Sequence, residues 1–368
     1  MASSPLILAA LAKAAMPAAK FKQAKALPRE GREPVNSAIL TDSDGIQYVV
    51  REARGPKGNL KLATETQCIR AVKSAGILPF RVPNLVSDST TVDGNTLQIS
   101  EFVYGSPIAI DSLRSTDPEL RNVGLAIASI HGLNIDKIRQ SGVPEFTANQ
   151  VREGRIAEMD RAAATGRVPA TLLQRWESAL EDLDLFRFQP VVVHGNLVNG
   201  SILELEGDVA GVVNWANLHI GDPAEDFVTF AANLDSEPLD AVKFAYFERR
   251  DEADANLAQR ATLYSELELA KWLLHGYTRR DAAVIEDAVQ MLQDLAELAT
   301  AGELIPLTQS QVPQPTVAAF VPEAVEVEEI ETVTVVSSSW SLDESEEVDD
   351  STKPIPTQDN QDRRDDLF

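Results

Sequence analysis

Cysteine is almost absent. The 368-residue chain has one, Cys68, and only four histidines. A single thiol cannot close an intramolecular disulfide, and so few histidines leave no Cys/His cluster at zinc spacing. Basic residues are scarce as well, 33 against 57 acidic ones, and the formal charge of −24 argues against direct binding to a nucleic-acid backbone. Long apolar runs are missing. The opening PLILAALA comes nearest to an export signal, but no positive charge precedes it and Lys13 ends it, so the expectation is an amphipathic helix broken near Pro17. No stretch reaches the ~18 apolar residues of a membrane span. These absences point to a reducing, cytoplasmic setting with no membrane partner. Hydrophobic residues still make up 44% of the chain, enough for a packed core.

The charge is unevenly placed. Residues 301–368 hold 16 of the acidic residues and 3 of the basic ones, so a net −13 sits in the last fifth of the chain. Prolines, serines and acidic blocks replace any helical period there, and the expectation is a disordered acidic tail. Two features stand out in it. The stretch 325–336 alternates like a strand able to add to a sheet edge, and Asp365, Asp366, Leu367 and Phe368 resemble the acidic, phenylalanine-terminated tips by which some bacterial proteins dock on a partner.

Before the tail the pattern divides in two. Residues 1–104 read as a helix followed by short strands: NSAILTD and IQYVVREA flank the turn signal SDG, LKLATETQCIRAVKSAG has helical period, and TTVDGNTLQISEFV reads as a second hairpin. Residues 105–300 place apolar side chains mostly at three- and four-residue steps, as in ELRNVGLAIASIHGL and ANLAQRATLYSELELAKWLLHGY. One region interrupts the helices. There Val191 to Val193 lead into a polar loop, a hairpin turns through EGD, and a second apolar strand, Val209 to Val213, returns to another polar loop. Polar groups at two adjacent strand ends are well placed to face a ligand in a cleft between lobes.

That region carries a resemblance. HGNLVNGSIL at 194–203, GVVNW at 211–215 and GDPAEDF at 221–227 are similar to the H-G-D-L-x-x-G-N-I-L, G-V-I-D-W and G-D-P-x-x-D signature of the aminoglycoside and macrolide phosphotransferases. The resemblance implies an α+β, bilobal protein-kinase-like fold with a small antiparallel-sheet lobe and a mainly helical lobe. It extends over residues 1–300: VVREAR is similar to the strand carrying the phosphate-contacting cation, here Arg51, and LATETQCIRAV to the helix carrying its acidic partner, here Glu65. No GxGxxG loop precedes Arg51; only Gly31 falls in REGREPVNSA.

The departures fall on the chemistry. The resemblance places the catalytic aspartate at Asn196, the magnesium-binding asparagine at Ser201 and the magnesium-binding aspartate at Asn214. A carboxamide has no basic site near neutral pH, so Asn196 can orient a hydroxyl but cannot take its proton. Asn214 offers a hard cation a neutral carbonyl where a charge is needed. Asp222 is the remaining carboxylate near the lost site and the candidate substitute ligand or base, its alternative being a helix-start cap. ATP therefore stays a candidate ligand through Arg51 and Glu65, while magnesium lacks an anionic ligand. The expectation is a degenerate pseudo-phosphotransferase holding a nucleotide, small molecule or protein. The alternatives are an active small-molecule kinase and an interaction protein docking through its C-terminal tip. His194 and Asp226 are expected to brace the loop, Cys68 to be inert packing, and His131, His219 and His275 to be core or surface residues. Glu153, Glu158 and Asp160 are candidates for attracting a cationic sugar.

Overall fold

The computed structural model describes residues 4–27, 34–250 and 254–308. The acidic tail from residue 309, with its stretch 325–336 and its terminal Asp365 to Phe368, lies outside the described residues, as does Gly31.

Helix α1 (Pro5–Ala15) starts on a Ser4 hydroxyl that accepts the Ile7 N–H and stops at Met16, before Pro17. A strand absent from the sequence reading follows, β1 (Phe21–Ala26). Then come β2 (Val35–Asp42), β3 (Gln47–Ala53), α2 (Gly55–Ala75), β4 (Leu85–Thr90) and β5 (Thr96–Glu101). The strands form one antiparallel sheet in the order β1-β2-β3-β5-β4. Period-two alternation sorts its side chains. Ala38, Leu40, Val50, Leu97 and Ile99 pack against Leu8 and Ala12 of α1. The opposite face carries Ile39, Val49, Arg51 and Gln98, which turn toward the helical lobe.

Past a connector, 102–105, a short strand β6 (Ser106–Pro107) leads into α3 (Pro118–His131), α4 (Ile135–Gln140), α5 (Ala148–Ala163) and α6 (Ala170–Glu181). Four strands interrupt the helices: β7 (Val191–Val193), the hairpin strands β8 (Ile202–Leu205) and β9 (Asp208–Val212), and β10 (His219–Gly221), which the sequence reading did not include. Strands β7 and β10 pair antiparallel, while β8 and β9 form a hairpin through Glu206 and Gly207, both at positive φ. Helices α7 (Val228–Asn233), α8 (Ser236–Phe247), α9 (Leu257–Arg279) and α10 (Ala282–Ala301) complete the lobe. The main core joins the two lobes. Cys68, Ile69 and Val72 of α2 cluster with Trp215 and Leu218 of the helical lobe, which fixes α2 over the loops that follow β7 and β9. The architecture is the kinase-like one, a sheet lobe set before a helical lobe.

Candidate functional site

A cleft of about 530 Å³ opens between sheet and helical lobe. Ile39 and Val49 roof it, Leu203 and Val213 floor it, and Phe102 and Val103 close it at the connector. These apolar walls with a few polar groups at the ends make a small-molecule site in shape and lining. At its inner end Arg51 on β3 donates to the buried Glu65 carboxylate of α2. Gln98 steadies the pair: its Oε1 lies 3.4 Å from Arg51 and its Nε2 donates to Thr66 at 2.9 Å. The guanidinium is partly open to the cleft, with 17% of its side chain exposed. A cation so placed is held by one carboxylate and still has free donors for an incoming anion.

The loop after β7 is held by its backbone. Asp226, fully buried, accepts the His194 N–H at 2.9 Å and the Gly195 N–H at 2.8 Å. It also meets His131 Nε2 at 3.1 Å, and His131 Nδ1 meets the Tyr246 hydroxyl at 3.0 Å. Burial alone would raise the Asp226 pKa, but the hydrogen bonds from the His131 ring and the His194 backbone N–H favour the carboxylate and hold the group below the usual range. His194 is neutral because burial lowers its pKa. Its Nε2–H donates to the Val213 carbonyl at 3.0 Å, leaving Nδ1 to accept the Asn196 N–H at 3.3 Å. Gly195 has φ +77°, and a Cβ there would stand 2.7 Å from the Asn217 carbonyl.

The three substituted positions sit on this frame. The Asn196 side chain is exposed at the loop. Ser201 is fully buried, and its hydroxyl donates to the Asn196 carbonyl at 3.0 Å, so it ties the loop to itself. Asn214 is exposed on the cleft wall in the left-handed region, φ 68° and ψ 46°, which a short carboxamide tolerates. Magnesium does not fit this donor set. One hydroxyl is spent on a carbonyl, the two carboxamides bring no charge, and among the described residues no group of three His, Cys, Asp or Glu converges on a metal position.

Asp222, which the sequence offered either as a substitute ligand or base or as a helix-start cap, sits at the cap. It is fully buried, and its two oxygens accept from Arg260 Nε at 2.8 Å, Arg260 Nη2 at 3.0 Å, the Tyr264 hydroxyl at 2.6 Å and the Ala224 N–H at 2.8 Å. Four donors saturate the carboxylate, so it caps and braces and has no lone pair to offer a metal or a proton. Glu158 is likewise engaged, by Arg155 at 3.5 Å and Lys271 at 3.9 Å. Cys68 is buried and desolvation pushes its thiol up to about 11, which keeps it unreactive.

Several working residues escaped the sequence reading. Arg260, which falls in the helical stretch ANLAQRATLYSELELAKWLLHGY, is the partner of Asp222, and Asn199 fixes the start of the helical lobe by accepting the Ile110 N–H at 3.2 Å. His219 packs beside Gly195 and pairs with Glu225 at 3.5 Å, and Glu225 in turn pairs with Arg155 at 3.3 Å. Burial lowers the His219 pKa, but the Glu225 hydrogen bond and charge exceed that and leave it raised.

A sequence model described as "Phosphotransferase enzyme family" matches residues 26–261. Among curated proteins, viomycin phosphotransferase of Streptomyces vinaceus is 28% identical over 214 residues, covering 54% of this chain and 71% of that one. The protein YcbJ of Bacillus subtilis is 24% identical over 199 residues, and this chain spans 64% of its length. Two solved structures share the fold. Macrolide 2'-phosphotransferase MphH of Brachybacterium faecium superposes with a TM-score of 0.66 at 21% identity, covering 77% of this chain and 97% of that one. The GDP complex of aminoglycoside 2'-phosphotransferase-IIIa gives 0.67 at 17% identity, covering 82% and 100%.

Proposed function

The chain belongs to the phosphotransferase enzyme family, and on that premise we propose that it is a degenerate member, a pseudo-phosphotransferase that holds a nucleotide in the interlobe cleft without turning it over. One observation carries the reading. The loop frame of Asp226, His194 and Gly195 is intact, while the groups it presents at 196, 201 and 214 are neutral. Phosphoryl transfer needs little from a protein beyond positioning and charge stabilisation, and the metal supplies much of both. Removing the base forfeits about 10²- to 10⁴-fold. Removing the anionic metal ligand as well takes away the means of neutralising charge on the transferring group.

Binding is another matter. With neutral groups at 196 and 214, a phosphate chain entering the cleft meets Arg51 without first needing a metal to screen two aspartates. Relatives of the same fold have been solved with GDP and with ADP, which supports the choice of ligand. Titration calorimetry with ATP, run with and without magnesium beside a phosphate-release assay, tests the proposal. It expects equal affinity under both conditions and no magnesium-dependent release. Turnover of ATP that requires magnesium would establish instead an active small-molecule kinase, the reading favoured by the viomycin phosphotransferase relative.

A further inference from the structure

A second hollow adjoins the cleft on the underside of the sheet. It measures about 590 Å³ and is lined chiefly by Gln23, Lys25, Ile39, Thr41, Gln47 and Phe102. Strand register makes the two continuous. Thr41 stands opposite both Gln23 and Gln47, and Ile39 opposite both Lys25 and Val49, so all of these side chains leave the same face of β1, β2 and β3 as Arg51. Lys25, Ile39 and Phe102 border both hollows. From Arg51 to Gln47 the shared face runs about 13 Å along β3.

The chemistry along that face changes in order. Arg51, a cation, stands at the inner end. An apolar middle follows, with Ile39 and Val49 above and Phe102 beside them, the Phe102 ring edge-packed on Tyr104 at 5.0 Å. Level with Ile39 and Val49, on the flank where the two hollows meet, stands Lys25, exposed and in no ion pair with a described residue, and it is the one charged side chain among the described residues that line the outer hollow. Beyond it Gln23, Thr41 and Gln47 offer carboxamide and hydroxyl groups that both donate and accept. Glu101 lines only the inner cleft. A ligand matching this face carries one anionic group at Arg51, a flat apolar body under Ile39 and Val49, and a second anionic group reaching the flank at Lys25.

We infer that the outer hollow is a second recognition subsite, and that the ligand of the cleft is a nucleotide whose base carries an acidic arm, the arm's carboxylate meeting Lys25 and its polar atoms meeting Gln23, Thr41 and Gln47. The inference rests on the nucleotide reading above. It adds a specificity to it: the phosphate end goes to Arg51, and the modified base edge goes outward past Phe102.

Lysine on an edge strand also guards against sheet-edge pairing, so the test has to separate a guard from a ligand contact. Calorimetry on the full chain compares AMP with AMP bearing a 1,2-dicarboxyethyl group on its exocyclic N6, in the natural protein, in Lys25→Ala and in Lys25→Arg. The substituted nucleotide is expected to bind about tenfold tighter, a gain typical of a charge-assisted contact. The ratio of the two affinities should collapse toward one in Lys25→Ala and persist in Lys25→Arg. Equal affinity in the natural protein overturns the subsite while leaving the nucleotide reading standing. A ratio that survives in Lys25→Ala overturns it too, and binding of neither compound overturns both.

Discussion

Replacing Asp222 by asparagine should unfold the protein more easily and leave its cleft unchanged at temperatures where it stays folded. The side chain and its partner Arg260 are both 0% exposed. Asparagine keeps the shape but turns one oxygen into an NH2 group, which would face a guanidinium or a phenol that also donates. At least one of the four hydrogen bonds is lost, and Arg260 keeps only Asp254, the Leu185 carbonyl and the Phe188 ring, whose centroid lies 4.7 Å away. Breaking a buried ion pair costs about 3–5 kcal/mol. Because Asp254 still compensates the guanidinium, the lower end applies, about 3 kcal/mol. For a body of this size that corresponds to a fall in Tm of roughly 5 °C. Thermal denaturation followed by circular dichroism reads the loss, and ATP calorimetry well below the new midpoint reads the cleft. A Tm within about 1 °C of the parent, coupled with loss of ligand binding, would refute the assignment and put Asp222 back into the chemistry.

Restoring charge should restore chemistry only as a set: Asn196→Asp, Ser201→Asn and Asn214→Asp together should give magnesium-dependent phosphate release from ATP, and Asn196→Asp alone should not. Equal activity from the single change would mean the metal site was never lost. Arg51→Gln should weaken ATP binding by about tenfold or more, since a charged hydrogen-bond partner contributes about 1.5–3 kcal/mol; unchanged affinity in calorimetry removes Arg51 from the phosphate grip. His219 has a raised folded-state pKa, so its contribution to stability is complete below its unfolded value and is lost as pH rises through the folded one. The urea midpoint of the parent should therefore carry a decline above about pH 6.5 that His219→Gln removes; a profile that the substitution leaves unchanged shows that the Glu225 pair contributes nothing. His194 acts in the opposite direction, because burial lowers its pKa and stability is lost as pH falls below its unfolded value.

What the sequence made legible was whatever is written locally. The hairpin at β2 and β3 was announced by SDG between alternating apolar runs, and Gly45 there indeed adopts φ +86°. The helices of the second lobe followed from their period, and the loop after β7 from its motif. Strand β1 was missed because FKQAKA has no β-branched residue and its burial does not alternate; it is a strand only because β2 offers it an edge. The bracing partners were illegible for a different reason. Asp222 finds Arg260 38 residues away, and Asp226 finds His131 95 residues away. No spacing rule reaches that far, so a carboxylate with four donors and one with none read alike in the chain. Asp222 was therefore offered as a reactive group, although the fold had already used it.

The same division of labour separates the shape of the loop from the side chains it exposes. The loop from 194 to 201 is fixed by backbone N–H groups on Asp226, by the His194 ring between Val213 and Asn196, and by the Ser201 hydroxyl on the Asn196 carbonyl. None of these bonds uses the side chain of 196 or 214. Both side chains are exposed and that of Asn214 lines the cleft, positions where an amide is nearly isosteric with a carboxylate and avoids repulsion between like charges. Ser201 differs, since its buried hydroxyl is itself part of the brace. Substitution at 196 or 214 should thus carry little folding cost, whereas a change at Asp222, Asp226 or Arg260 strikes the core. The shape of the loop and the chemistry of the groups it exposes are therefore set by different residues, and the triple substitution Asn196→Asp, Ser201→Asn and Asn214→Asp tests the second while Asp222→Asn tests the first.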